Sequence, residues 1–158
     1  HQDSYLFEFL VLEEMQAGLS WETVLRKREA MRAAFSQFDV EAVAAYTLAD
    51  EQALLLNPGI IRNRLKIHAL VTNAQAFIKV QQEFGSFDRY IWAFTAGKVV
   101  VNRWQHMKQM PANTPLSDRI SADLKKRGFK FVGTTIIYSY LQAIGMVNDH
   151  MIYCDCSH

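Results

Sequence analysis

The chain has 158 residues, which is enough for one domain with a sizeable hydrophobic core. Half of the residues are hydrophobic, 21% are charged and the formal net charge is +1, which excludes an intrinsically disordered chain and a strong overall basic field. No apolar run approaches the roughly 20 residues of a membrane span, and no signal peptide is visible.

Apolar residues recur at helical spacing along most of the chain, and capping residues predict where the helices begin. We expect a single all-α domain over residues 1–158, with two helical lobes around a cleft as one arrangement. The only strand-like run, residues 99–101, is too short to build a sheet, and residues 102–116 are predicted to form a loop. The predicted helix starts are Asp3 or Ser4, Ser20, Asp39, Thr47, Arg62, Ser86 and Ser117, with Gly18 and Gly85 as stops.

The most informative stretch is the basic hairpin at residues 124–145. Gly128 breaks a helix that ends in lysine and arginine, and Gly133 opens a new amphipathic helix. A tight turn of this kind leaves backbone N–H groups at a helix N-terminus, where anions bind. With Lys126 and Lys130 beside it, the spacing favours a helix-hairpin-helix grip on DNA phosphate over residues 118–145. An ordinary helical hairpin with a solvated basic end is the alternative that spacing alone leaves open.

Two carboxylates, an amide and a tryptophan are crowded into residues 12–21. Glu13 and Gln16 are three residues apart, so they share a face if the first helix extends that far. Glu13 follows an apolar run and is expected to be partly buried, which is typical of functional carboxylates. Glu14 is expected to face solvent. A surface ion pair at the helix end is the alternative for Glu13.

Leu19 and Trp21 are candidates for contact with a flat ligand. Trp21 can stack on an aromatic ring, and Leu19, after Gly18, can protrude as a wedge that fills the gap left by an extruded base. The alternative is that both side chains belong to the core.

The C-terminus carries a candidate metal site. His150 and Cys154 are spaced as two zinc ligands on one helical turn, and Cys156 and His158 are nearby. Cys154 and Cys156 are too close in sequence for an easy disulfide, which favours a reducing compartment such as the cytoplasm.

Four motifs give the chain a resemblance to a known family. They are QAGLSW at 16–21, PGIIRNR at 58–64, LKKRGFKFVGTT at 124–135, and VNDH at 147–150 followed by Cys154. In this order they closely resemble bacterial DNA-3-methyladenine glycosylase I, over essentially the whole chain. The resemblance implies an enzyme that flips N3-methyladenine out of alkylated double-stranded DNA and hydrolyses its N-glycosidic bond. It implies an abasic product site, no strand cleavage and free 3-methyladenine as product.

The resemblance also assigns roles to residues. It implies that Glu13 contacts the amino edge of the flipped base as the catalytic carboxylate, that Trp21 stacks on the base and that Ser139 lies in the pocket. Asn148 occupies the place of a catalytic aspartate in the wider superfamily, and Asp149 is not expected to be catalytic. The implied DNA-binding residues are Gly18, Leu19, Lys126, Gly128, Lys130, Gly133 and Thr134.

The family's members carry a further N-terminal segment that is not in this sequence. In the family that segment completes a structural zinc site with His150 and Cys154, and it adds aromatic side chains to the base pocket. If the protein has this segment outside the given sequence, zinc and activity are expected. If it truly lacks the segment, only half a zinc site is present, the pocket is open on one side and activity is doubtful.

Two other functions compete with the glycosylase. A DNA-binding module with an impaired pocket would depend on the hairpin and be indifferent to Glu13. A plain helical interaction protein would show no salt-dependent DNA affinity. We expect a cytoplasmic monomer without membrane contact.

Overall fold

A computed structural model describes residues 2–104 and 112–151 of the protein. Helices dominate these residues, which confirms the all-α prediction. The helices are α1 (Asp3–Gln16), α2 (Trp21–Ala34), α3 (Val40–Ala44), α4 (Leu48–Leu54), α5 (Arg64–Phe84), α6 (Phe87–Ala93), α7 (Pro115–Lys126) and α8 (Thr134–Ala143), with a 3-10 turn at Ser36–Phe38. The strands are β1 (Val100–Trp104) and β2 (Val147–Met151). None of the described helices combines the length and apolar character that a membrane span needs.

Side-chain caps define most of the helix starts that the sequence predicted. Ser20, Asp39 and Ser86 accept backbone hydrogen bonds at the starts of α2, α3 and α6, and Thr47 forms a capping box at α4. The prediction for α1 was wrong, because Gln2 is its N-cap residue and makes no side-chain cap. Asp3 instead accepts the backbone N–H groups of Phe87 and Asp88, and so it anchors the start of α6 to α1.

Helix α7 also begins earlier than expected. Thr114 is its N-cap, and Pro115 occupies the first turn, where its missing N–H costs nothing. Ser117, the predicted cap, is the third residue of the capping box and donates its hydroxyl back to the Thr114 carbonyl at 3.0 Å. The predicted loop through residue 116 was wrong at its end, because proline is compatible with the first turn of a helix.

The prediction that residues 99–101 cannot build a sheet was wrong. Strand β1 pairs in parallel with β2, with Val100 opposite Val147 and Val101 opposite Asn148. The pairing shows that His150 and Met151 lie on a strand, so the helical turn assumed for the zinc spacing is also wrong up to Met151.

The core is built around α1, which packs against α2, α5, α6 and α8. Its apolar side chains are fully buried along most of its length. Phe7 meets Phe77 edge to face, and Phe77 stacks on Phe87, so these rings extend the core outward. This packing fixes the carboxyl end of α1 in place beside the start of α8. The candidate site lies at that junction.

Candidate functional site

A cavity of about 400 Å³ lies between the carboxyl end of α1 and the first turns of α8. It brings together four of the predicted site residues, namely Glu13, Gly18, Leu19 and Ser139. Helix α1 does extend to Gln16, so Glu13 and Gln16 share the face that lines the cavity, as expected. The complete lining is Glu13, Gln16, Ala17, Gly18, Leu19, Thr135, Ile136 and Ser139.

Glu13 is the ionisable group of this cavity. Its side chain is only 4% exposed, and this burial raises the pKa of the carboxyl to about 7. A carboxyl group in such surroundings is poised to gain from a positively charged ligand, because the ligand restores the charge that burial disfavours.

A larger hollow of about 460 Å³ lies beside β1 and the start of α7. Its lining is mainly apolar, its charged side chains are Lys98 and Arg119, and it contains none of the predicted site residues. We place the site at the α1–α8 cavity because that cavity holds the buried carboxyl group.

Glu14 is buried, so the expectation that it faces solvent was wrong. It is 1% exposed, and its Oε2 accepts a hydrogen bond from the Asn73 amide at 2.8 Å. Burial raises the pKa of Glu14 well above its usual range, and the nearby charge of Lys66 opposes that rise. Both partners come from α5, more than fifty residues further along the chain, so no local pattern could reveal them.

Lys66 supports the turn after α1. Its ammonium group donates to the carbonyl oxygens of Met15, at 2.8 Å, and Ala17. In this turn Gly18 has a φ of +80°, a conformation that favours glycine. Leu19, the next residue, is 41% exposed beside the cavity. Leu19 therefore has the exposure that a wedge needs.

The basic hairpin joins α7 to α8 through residues 127–133. Gly128 follows the helix end with a φ of +95°, and the buried side chains of Phe129 and Val132 anchor the turn. Lys126 and Lys130 are exposed, as phosphate contact requires. Arg127 is occupied elsewhere, because it pairs with Asp123 and Glu83.

Gly133 is the N-cap of α8, and no side chain caps that helix end. The Thr134 hydroxyl, a predicted DNA contact, donates to the Asp118 carboxylate at 2.6 Å. Its hydroxyl is therefore engaged within the protein, and the first-turn N–H groups of α8 are the better anion donors.

Trp21 is not among the residues that line the cavity. It is the first residue of α2 and lies half-buried against the hydrophobic core. The structure thus brings Glu13 and Ser139 together without showing Trp21 at their side.

Asn148 and Asp149 lie on β2, away from the cavity lining. Asp149 accepts hydrogen bonds from the Tyr138 hydroxyl, the Gln142 amide and the Asn102 amide. These contacts tie α8 to both strands, and they give Asp149 a structural place in the fold.

The candidate zinc ligands fall at the edge of what the structure describes. The backbone of His150 lies in β2 opposite Arg103, and Cys154 lies outside the described residues, as do Cys156 and His158. Within residues 2–104 and 112–151, no three His, Cys, Asp or Glu residues are grouped so as to hold a metal ion. Imidazole and thiolate suit zinc, but two ligands do not close a structural site.

Comparison with known proteins identifies the family. The family model for methyladenine glycosylase matches residues 1–158. The chain belongs to the methyladenine glycosylase family. DNA-3-methyladenine glycosylase 1 of Escherichia coli (strain K12) is 48% identical over 151 residues, which are 96% of this chain and 81% of that protein. The DNA-3-methyladenine glycosylase of Haemophilus influenzae is 44% identical over 96% of this chain and 82% of its own length.

Solved structures of family members share the fold. A crystal structure of 3-methyladenine DNA glycosylase I matches with a TM-score of 0.91 and 48% identity, covering 100% of this chain and 87% of that one. A structure on 3-methyladenine recognition by the Staphylococcus aureus enzyme matches at 0.91 with 37% identity, over 98% of this chain and 81% of that one. The family predicted from the sequence motifs is therefore confirmed.

Some residues of the cavity were not predicted as site residues. Gln16 was expected on the same helix face as Glu13, because the two residues are three positions apart. Thr135 and Ile136 lie one turn before Ser139 on α8, so the helical period could have indicated them. Asn73 and Lys66 lie in a long apolar-patterned helix, and nothing in the sequence around them indicated that both side chains are buried.

Proposed function

We propose that this family member acts in base-excision repair as a DNA-3-methyladenine glycosylase, with the α1–α8 cavity as the pocket for the flipped base. The protein is an N-glycosyl hydrolase on this assignment: it cuts the bond between 3-methyladenine and deoxyribose and leaves an abasic site. The observation that carries the residue assignment is the buried Glu13 carboxyl group in a cavity beside an exposed wedge and a hairpin.

The chemistry of the substrate fits this carboxyl group. Methylation at N3 makes the base cationic, so it is already a good leaving group and needs no protonation. A cation in the cavity favours the charged form of Glu13, whereas neutral adenine gives no such attraction. The carboxylate can also stabilise the positive charge that develops on the sugar. Selection against guanine follows from its carbonyl at the edge where adenine has an amino group.

The DNA is held by the elements around the cavity. We propose that Leu19 and Gly18 enter the duplex where the base leaves it, and that the hairpin binds phosphate through Lys126, Lys130 and the N–H groups after Gly133. Flipping costs a few kcal/mol, and less for a poorly paired lesion. The hairpin assignment rests on its exposed cations and on its position next to Thr135, which lines the cavity.

The experiment is base release from N-methylated duplex DNA. The wild-type chain is expected to release 3-methyladenine and little 7-methylguanine, read by chromatography. Glu13→Gln should lose about 100-fold in excision rate while keeping its affinity for duplex DNA. Glu41→Gln makes the same change on an exposed face of α3 and should behave as wild type.

The outcomes separate the candidate functions. If the wild-type chain releases no 3-methyladenine but binds DNA in a salt-dependent way, only the function as a DNA-binding module is left. The buried carboxyl group in the cavity argues against that function. Release that is unaffected by Glu13→Gln would remove Glu13 from the reaction.

Zinc and oligomeric state stay as predictions. Zinc, held in part by His150 and Cys154, would have a structural role at the C-terminus, and the chemistry above does not use it. Metal content measured on purified protein, with His150→Ala as comparison, tests the zinc prediction. Light scattering of the eluting protein tests the expected monomer.

A further inference from the structure

A buried polar network connects the two parts of the molecule that contact DNA in the proposed function. It contains Glu14 at the end of α1 and Lys66 and Asn73 on α5. All three side chains are buried, with exposed fractions of 1%, 4% and 2%. Buried polar groups of this kind are costly unless they are paired, so their arrangement needs a reason.

Asn73 joins two separate elements through one amide group. Its Oδ1 accepts the backbone N–H of Lys130 at 2.7 Å, and its Nδ2 donates to the Lys130 carbonyl at 3.0 Å. The same Nδ2 donates to Glu14 Oε2 at 2.8 Å. The hairpin backbone and the end of α1 therefore meet at a single side chain.

Lys66 completes the connection on the side of the wedge. Its ammonium group donates to the carbonyl oxygens of Met15 and Ala17, which lie within three residues of Gly18. Asn73 lies two helical turns after Lys66 on α5, so one rigid helix carries both contacts. The distance between the hairpin and the wedge turn is thereby fixed through α5.

We propose that Glu14, Lys66 and Asn73 are positioning residues that couple the phosphate grip of the hairpin to the wedge and the base cavity. The proposal rests on the proposed function. When the hairpin binds the DNA backbone, the contacts through α5 hold Leu19 and Glu13 at a fixed distance from the bound phosphates. The binding energy of the duplex then contributes to base extrusion. A displacement of about 1 Å in such an arrangement can cost up to about 100-fold in rate.

The structure offers a matched pair of variants on α5. Asn73→Leu removes the amide that forms hydrogen bonds with Glu14 and with the hairpin backbone. Gln81→Leu removes another α5 amide, whose Nε2 donates to the Asp3 carboxylate at 2.9 Å at the opposite end of α1. Both changes delete a contact between α1 and α5, and only the first lies on the connection between the hairpin and the wedge. Lys66→Met is a second test, which leaves the hairpin contacts of Asn73 in place.

Three quantities are compared for each variant below its melting temperature. They are the single-turnover excision rate on methylated duplex DNA, the affinity for undamaged duplex DNA, and the affinity for free 3-methyladenine. Asn73→Leu and Lys66→Met should lose at least about tenfold in excision rate and keep their affinity for the free base. Gln81→Leu should excise at the wild-type rate.

Two results would overturn the proposal. Excision at the wild-type rate by both network variants would show that no coupling runs through them. An equal loss of excision rate and free-base affinity would show that the variants only damage the cavity. Failure of the proposed function is distinct, because then the wild-type chain itself would release no 3-methyladenine. If Asn73→Leu does not fold, the Lys66→Met result decides.

Discussion

Glu13 and Glu14 are consecutive residues with opposite surroundings. A helix turns by about 100° per residue, so one carboxyl group faces the α1–α8 cavity and the other faces α5. Glu13 lines the cavity, whereas Glu14 accepts a hydrogen bond from Asn73. The apolar run before Glu13 made its burial predictable from the sequence, and the burial of Glu14 depended on partners from a distant helix.

The raised pKa of Glu13 makes a prediction about stability and pH. A carboxyl group with a pKa of about 7 in the folded state, against an ordinary value of 4.5, binds its proton more tightly when folded. The folded state gains this stability fully below pH 4.5 and loses it as the pH rises through about 7. Glu13→Gln should therefore unfold at a temperature higher than wild type by several degrees at pH 8, and at a similar temperature at pH 4.5. Thermal unfolding of both proteins across this range is the measurement, and identical pH profiles would contradict it.

At the scale of elements, the hairpin contains two glycines that differ in what the backbone requires of them. Gly128 has a φ of +95°, so its conformation needs glycine although an added Cβ would meet no atom within 4 Å. Gly133 has a φ of −57° and also has open space around it. The fold does not require glycine at position 133, and close approach of a ligand to the start of α8 is a reason for it.

Substitution by alanine should separate these two roles. Gly128→Ala should lower the free energy of unfolding by about 1 kcal/mol through backbone strain. Gly133→Ala should leave stability unchanged and weaken duplex DNA binding, because its methyl group would stand between the helix end and a phosphate. Urea unfolding and DNA titration of both variants make the comparison, and equal DNA affinity of Gly133→Ala and wild type would argue against a phosphate at this helix end.

The sequence predicted the helices better than the strands for a physical reason. A cap such as Ser20 or Asp39 acts within three residues of itself, so its effect can be read locally. Strand β2 is defined by pairing with β1 across two intervening helices, and its short run of residues carries no pattern of its own. The same distinction applies to the site, where Glu13 and Leu19 were predictable and the α5 contacts were not.

At the scale of the whole molecule, several clusters of basic residues serve the fold itself. Arg28 and Arg32 both pair with the buried Glu8, and Lys66 is buried beneath the wedge turn. These cations are engaged within the protein and are therefore poor candidates for phosphate contact. With a net charge of +1, DNA binding has to come from local clusters of exposed cations, and the hairpin lysines form one of them.

The exposed hairpin lysines predict a measurable share of the salt dependence of DNA binding. Lys126→Ala and Lys130→Ala should each reduce the slope of log affinity against log salt by about one, with similar loss on every DNA sequence. Lys79→Ala, an exposed position on α5, is the control and should leave the slope unchanged. Titrations with undamaged duplex at several salt concentrations give the slopes. A slope that neither hairpin variant alters would place the phosphate contacts elsewhere.

The parallel pairing of β1 with β2 has a consequence for synthesis of the protein. Val101 lies opposite Asn148, so the ribosome makes β1 well before its partner exists. At about 5–20 residues per second, several seconds pass in which β1 has no strand beside it. Val99 and Val101 stay 50% and 47% exposed even in the finished fold. Until β2 is made, this segment has no strand to pair with, and its unpaired backbone groups and exposed valines favour pairing with another chain.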